Sequence, residues 1–78
     1  MNFSEKLIRL RKREGISQEE LASYLEVSRQ AVSRWELGAA LPDAGNLLKL
    51  RQRFGISVDW LLEDAQGWEH LTDGAPAA

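Results

Sequence analysis

Residues 17–38 read SQEELASYLEVSRQAVSRWELG. Two serines, Ser17 and Ser28, stand eleven residues apart, and each opens a run with helical periodicity. Ser17 has Glu20 three places on, the capping-box spacing: the hydroxyl accepts from the Glu20 amide while the Glu20 carboxylate reaches back to the Ser17 amide. From there Leu21, Ala22 and Leu25 share one helical face, which should be buried, with Glu19, Ser23 and Tyr24 outward. Ser28 caps a second helix in which Val32 and Trp35 form the apolar side and Arg29, Gln30, Ser33 and Arg34 the open side. Glu26 and Val27 leave room only for a sharp corner between the two. A positive φ at Glu26 costs about 1 kcal/mol relative to glycine, because the residue carries a Cβ.

On the N-terminal side, Phe3, Leu7 and Leu10 recur at i, i+4 and i+7, which predicts a helix over 3–14 with Lys6, Arg9 and Lys12 on its other faces. Gly15 ends it, because glycine takes the left-handed conformation freely. On the C-terminal side, Gly38 closes the second helix of the pair and Pro42 stops any continuation. Asp43 caps a fourth helix over 44–54, with Leu47, Leu50 and Phe54 inward. Gly55 ends that helix, and Ser57 caps a short fifth one carrying Val58, Trp60, Leu61 and Leu62. The expected fold is all-α: five short helices in one compact domain over 1–62, with a helix-turn-helix at the second and third.

Three separated blocks, LRxxxGISQEELA, VSRQAVSRWE and FGISVDWLL, stand in the order and spacing of the phage-repressor helix-turn-helix proteins, the group of lambda repressor and Cro. The resemblance covers about residues 3–62. It implies sequence-specific binding of double-stranded DNA and transcriptional regulation, expected to be repression, with the third helix in the major groove. It also implies that Arg11 pairs with Glu36 of the Trp-Glu dipeptide, bracing the first helix against the end of the third. The chain departs from the family at Ala39 and Ala40, where relatives carry polar or basic residues, and at Arg51 and Arg53, where they carry small or apolar ones.

The residues expected to meet DNA follow from the geometry of such a unit, whose second helix points its first exposed turns at base edges. Arg29 can donate two bonds to guanine O6 and N7, and Gln30 can bracket adenine N6 and N7. Ser33 and Arg34, one turn on, reach the next bases. Gln18 and Ser28 open helices and suit phosphate oxygens, as does Asn46 near the start of the fourth helix.

Composition narrows the alternatives. Seventy-eight residues allow one domain, which buries only ~60% of the surface its unfolded chain exposes. There is no cysteine and one histidine, so neither a disulfide nor a metal site is expected, and no cofactor. No nucleophile and base pair or phosphate-cradling glycine loop is found, so an enzyme is not expected. No apolar run approaches a membrane span and no signal peptide opens the chain, which points to the cytoplasm.

The formal net charge of −2 runs against a nucleic-acid binder. Its distribution restores the balance, because residues 1–38 carry seven bases against six acids and residues 39–78 three against six. The acidic surplus favours one alternative, a protein-interaction module of the same fold. An antitoxin-type autoregulator that binds a protein partner through its tail is another.

Residues 63–78, EDAQGWEHLTDGAPAA, are acidic and broken by Gly67, Gly74 and Pro76. They have no apolar period long enough for a helix and read as a flexible tail or the start of a linker, with Trp68 and Leu71 able to tuck against the fifth helix and His70 beside Glu69 too thin a basis for a metal site or an acid–base pair. The close at Ala77 and Ala78 in such a stretch fits the N-terminal part of a longer regulator. The working unit is expected to be a homodimer on a near-palindromic operator, since one small acidic module offers few contacts. A helix as short as the fifth cannot bury all four of its large side chains, and the interface is expected at Trp60 and Leu61.

Overall fold

The computed structural model describes residues 1–63. It holds five helices: α1 (Phe3–Arg13), α2 (Gln18–Leu25), α3 (Arg29–Glu36), α4 (Ala44–Phe54) and α5 (Val58–Leu62). Every one starts on a capping side chain: Asn2, Ser17, Ser28, Asp43 and Ser57 each accept from the backbone N–H three residues on. Asn2–Glu5 and Ser17–Glu20 complete reciprocal capping boxes. The residue before the cap is a branched aliphatic in three of the five. Ile16, Val27 and Ile56 lie in or against the core together with Leu21, Val32 and Leu61, which occupy the fourth helical position of α2, α3 and α5. This hydrophobic-staple pattern sets the angle at which the chain enters each helix.

The helix ends follow one chemistry. After α1, α2 and α3 the chain turns through a pair of backbone bonds from Gly15 and Ile16, Glu26 and Val27, and Gly38 and Ala39 back to the last turn. That is the Schellman arrangement, which places its first residue in the left-handed region. Glycine stands there twice, and Glu26 adopts the same conformation at φ 61 and ψ 43. The sharp corner thus keeps the strained geometry. Lys49 of α4 supports it, donating to the Leu25 carbonyl at 3.3 Å and lying 3.7 Å from the Glu26 carboxylate. That ion pair is exposed and contributes little. Glu26→Gly is therefore expected to stabilise the fold by about 0.5–1 kcal/mol, the relief of the Cβ clash exceeding glycine's extra unfolded-state entropy. A thermal midpoint about 2–6 °C higher would register it; a lower midpoint would mean that the lost side chain matters more than the clash.

The core is built from one stripe of each helix. Leu7, Leu10, Leu21, Leu25, Val32, Leu50, Ile56 and Leu61 are sealed from solvent, with Phe3, Trp35, Phe54 and Trp60 nearly so. Leu47 packs against this cluster at its edge.

Two expectations are corrected. Lys6, assigned to a polar face of α1, is fully buried. It lies three residues after Phe3 and one before Leu7, hence on the apolar stripe, and its ammonium donates to the carbonyls of Trp60 and Glu63 at the end of α5 while sitting 4.5 Å from the Trp60 ring centre. A cation is well placed where a helix leaves its last carbonyls unpaired. Trp60 and Leu61, expected at a dimer interface, are 4% and 0% exposed and belong to the core. The large side chain that α5 leaves outside is Leu62, 43% exposed. The Trp60 ring lies against the Lys6 ammonium, and its carbonyl accepts from the same group.

The expectations for Trp68, Leu71 and His70, and for the tail as a whole, lie outside the described residues. Among the described residues no helix is long and apolar enough to cross a membrane, and no three His, Cys, Asp or Glu side chains gather to hold a metal ion.

Candidate nucleic-acid interface

The helix α3 has two sharply different sides. Val32, Trp35 and Glu36 are buried, whereas Arg29, Gln30 and Arg34 are exposed and Ser33 is half-exposed. Those four side chains line a shallow concavity of about 400 Å³. The order follows from the 3.6-residue turn: positions 29, 30, 33 and 34 fall within one arc, with 32 and 35 on the other side. An α-helix with its side chains is about 10–12 Å across, which fits a major groove about 12 Å wide.

Electrostatics distinguish this face from the rest of the surface. Most of the other bases are already engaged: Arg11 with Glu36, Arg13 and Arg53 with Glu14, Lys49 with the Leu25 carbonyl, and Lys6 in the core. Neither Arg29 nor Arg34 has a side-chain hydrogen bond or ion pair among the described residues. The one carboxylate of α3, Glu36, is turned inward with its side chain 5% exposed. The exposed side of α3 thus presents two guanidinium forks and a carboxamide, groups that match the acceptor and donor edges of guanine and adenine.

Behind that face lies a buried brace. Arg11 Nε donates to Glu36 Oε2 at 2.7 Å and Arg11 Nη2 to Oε1 at 3.1 Å, a bidentate pair. Arg11 Nη1 also donates to the Ile16 carbonyl at 3.0 Å. The hydrogen bond to Glu36 holds the guanidinium pKa above its ordinary value, outweighing the opposing effect of burial. The pair fastens the C-terminal turn of α1 to the end of α3, and so fixes the exposed face of α3 relative to the body of the domain.

The residues expected to orient on phosphates are less uniform. Ser28 is exposed, and its oxygen accepts from the Ala31 amide at 3.1 Å, leaving its hydroxyl hydrogen to donate. Gln18 is half-exposed, and its Nε2 donates to Glu36 Oε1 at 2.9 Å, so one of its two amide hydrogens is committed inside the protein. Nothing in the local spacing of Gln18 marked Glu36 as a partner. The Asn46 backbone amide is capped by Asp43 at 2.9 Å, which withdraws that N–H from phosphate and leaves only the half-buried side chain.

Comparisons agree with this arrangement. The helix-turn-helix family model matches residues 7–61. The chain is 42% identical over 62 residues to the HTH-type transcriptional activator BcrR of Enterococcus faecalis, covering 80% of this chain and 30% of that protein. It is 39% identical over 61 residues to YonR, an SPbeta prophage-derived HTH-type transcriptional regulator of Bacillus subtilis strain 168, covering 78% and 56%. The chain thus spans under a third of one of these relatives and a little over half of the other. The P22 c2 repressor, solved in complex with a synthetic operator, superposes with a TM-score of 0.77 at 33% identity, covering 81% of this chain and 96% of that one. With its capped α2 and α3, their left-handed corner and the brace behind them, the chain belongs to the phage-repressor-like helix-turn-helix family.

Proposed function

We propose that the chain binds double-stranded DNA sequence-specifically and regulates transcription, acting as a repressor that occupies its operator with α3 in the major groove. The observation that carries this is the pair of arginines on the exposed side of α3 that have no partner among the described residues, in a protein whose formal net charge is −2. An acidic protein that leaves two guanidinium groups together without a carboxylate keeps the local field needed to approach phosphate. Arg29, Gln30, Ser33 and Arg34 read base edges in this scheme. Gln18, Ser28 and, less directly, the Asn46 side chain orient the domain on the backbone.

Two copies form the working unit, on a near-palindromic site with half-sites one turn of DNA, about 34 Å, apart. Their contact involves the Leu62 edge of α5, since Trp60 and Leu61 are enclosed. The domain over 1–62 carries the binding, and the place of action is the cytoplasm.

The test is a titration of random duplex and of a selected site at low and moderate salt, with stoichiometry read by sedimentation. Expected are a log K falling by about 0.9 per decade of salt for each phosphate neutralised, tighter binding of the selected site, and two chains per site. Salt-independent or absent binding would instead favour a protein-interaction module, and one chain on an asymmetric site would defeat the dimer.

A further inference from the structure

The DNA-binding reading above is the ground for a role that Glu36 plays beyond bracing the fold. Its carboxylate holds three donors from two helices: Arg11 Nε and Nη2 from α1, and Gln18 Nε2 from the first residue of α2. The bidentate arginine already satisfies a brace. Gln18 is an additional donor, attached to the oxygen that also receives Arg11 Nη2.

Two physical consequences follow. The guanidinium neutralises Glu36, so a second anion near Gln18 meets no net repulsion from that pair. The Gln18 carboxamide, tied at one hydrogen and half-exposed, keeps its other hydrogen for an outside acceptor. A donor already held in place loses less freedom on contact than a loose one.

We propose that Glu36 is a positioning residue for DNA binding: by accepting from Gln18 it holds the carboxamide so that its second N–H meets one backbone phosphate oxygen beside the reading helix. The chain of contact runs from the Arg11 guanidinium through the Glu36 carboxylate and the Gln18 amide to the phosphate. The base-reading helix and the phosphate contact are thereby locked in one register, since Glu36 is the last residue of α3.

The experiment uses the full chain and duplexes bearing a single neutral methylphosphonate at successive positions. For the parent, one linkage per half-site should report Gln18, its neutralisation lowering affinity roughly tenfold. Gln18→Ala should bind selected and random duplexes about equally less well, be indifferent to that linkage, and keep the salt slope, because glutamine carries no charge.

The deciding variant is Arg11→Met with Glu36→Met, which replaces the ion pair by apolar side chains and leaves Gln18 untied. It should lose sensitivity at the Gln18 linkage while remaining sensitive at the others, an effect that a purely structural role would not produce. If that variant does not fold, Glu36→Asp serves instead, keeping a carboxylate for Arg11 with a shorter reach to Gln18. Full sensitivity at the linkage in the folded variant, or parental affinity in Gln18→Ala, overturns the proposal while DNA binding stands. A parent without affinity for any duplex overturns the DNA-binding reading itself.

Discussion

Arg11→Met is expected to cost the fold about 3–5 kcal/mol, because it strands the Glu36 carboxylate in an interior that replaces little of its solvation. The side chain of Glu36 is 5% exposed, and the change would leave it a single neutral donor, Gln18. A domain of this length is stable by roughly 4–12 kcal/mol, so the loss is a large part of the whole. The thermal midpoint should fall by more than about 10 °C. Arg11→Lys should lie between, since an ammonium keeps the charge but not the two-pronged geometry or the reach to the Ile16 carbonyl.

The sign of any pH effect follows from the raised guanidinium pKa. Arg11's contribution is fully present below its unfolded-state value and is lost only as pH climbs through the still higher folded value. Arginine therefore introduces no pH dependence across the ordinary range. An Arg11→Met protein melting within 2 °C of the parent would show that the pair is dispensable and that the three-helix junction stands on apolar packing alone.

Arg29→Ala should weaken binding to the preferred duplex by about 1–3 kcal/mol, roughly 5- to 150-fold, and change affinity for random duplex much less. The asymmetry is the content of the expectation. A bidentate contact to a guanine is lost only where the guanine is present, whereas a phosphate contact is lost everywhere. Because Arg29 has no partner within the described fold, its removal should leave the melting temperature where it was, within about 0.5 kcal/mol. A parallel loss on both duplexes, measured at one salt concentration, would reassign Arg29 to the backbone.

Leu62 and Gln18 show how a short-range reading stops where packing begins. The caps at Ser17, Ser28, Asp43 and Ser57, the starts of all five helices and the grouping of Arg29, Gln30, Ser33 and Arg34 on one face could be read from the chain. Each depends on residues within about four positions of one another, joined by backbone bonds and a fixed helical turn. The family resemblance supplied the Arg11–Glu36 pair, which no local rule would have found across 25 positions.

Tertiary structure alone decided the rest. Periodicity placed Trp60, Leu61 and Leu62 side by side on α5 but could not say which one the short helix would leave outside. In the folded chain Trp60 and Leu61 turn into the core and Leu62 stays outside, with the Lys6 ammonium, 54 positions away, bound to the Trp60 carbonyl and close to its ring. Lys6 looked like a surface base because its charge outweighs its place on the apolar stripe in any sequence reading. Gln18 looked free because its acceptor, Glu36, arrives from another helix. In both cases a polar group is buried or held by a partner distant in sequence, and the energy that makes this tolerable exists only once the helices have met.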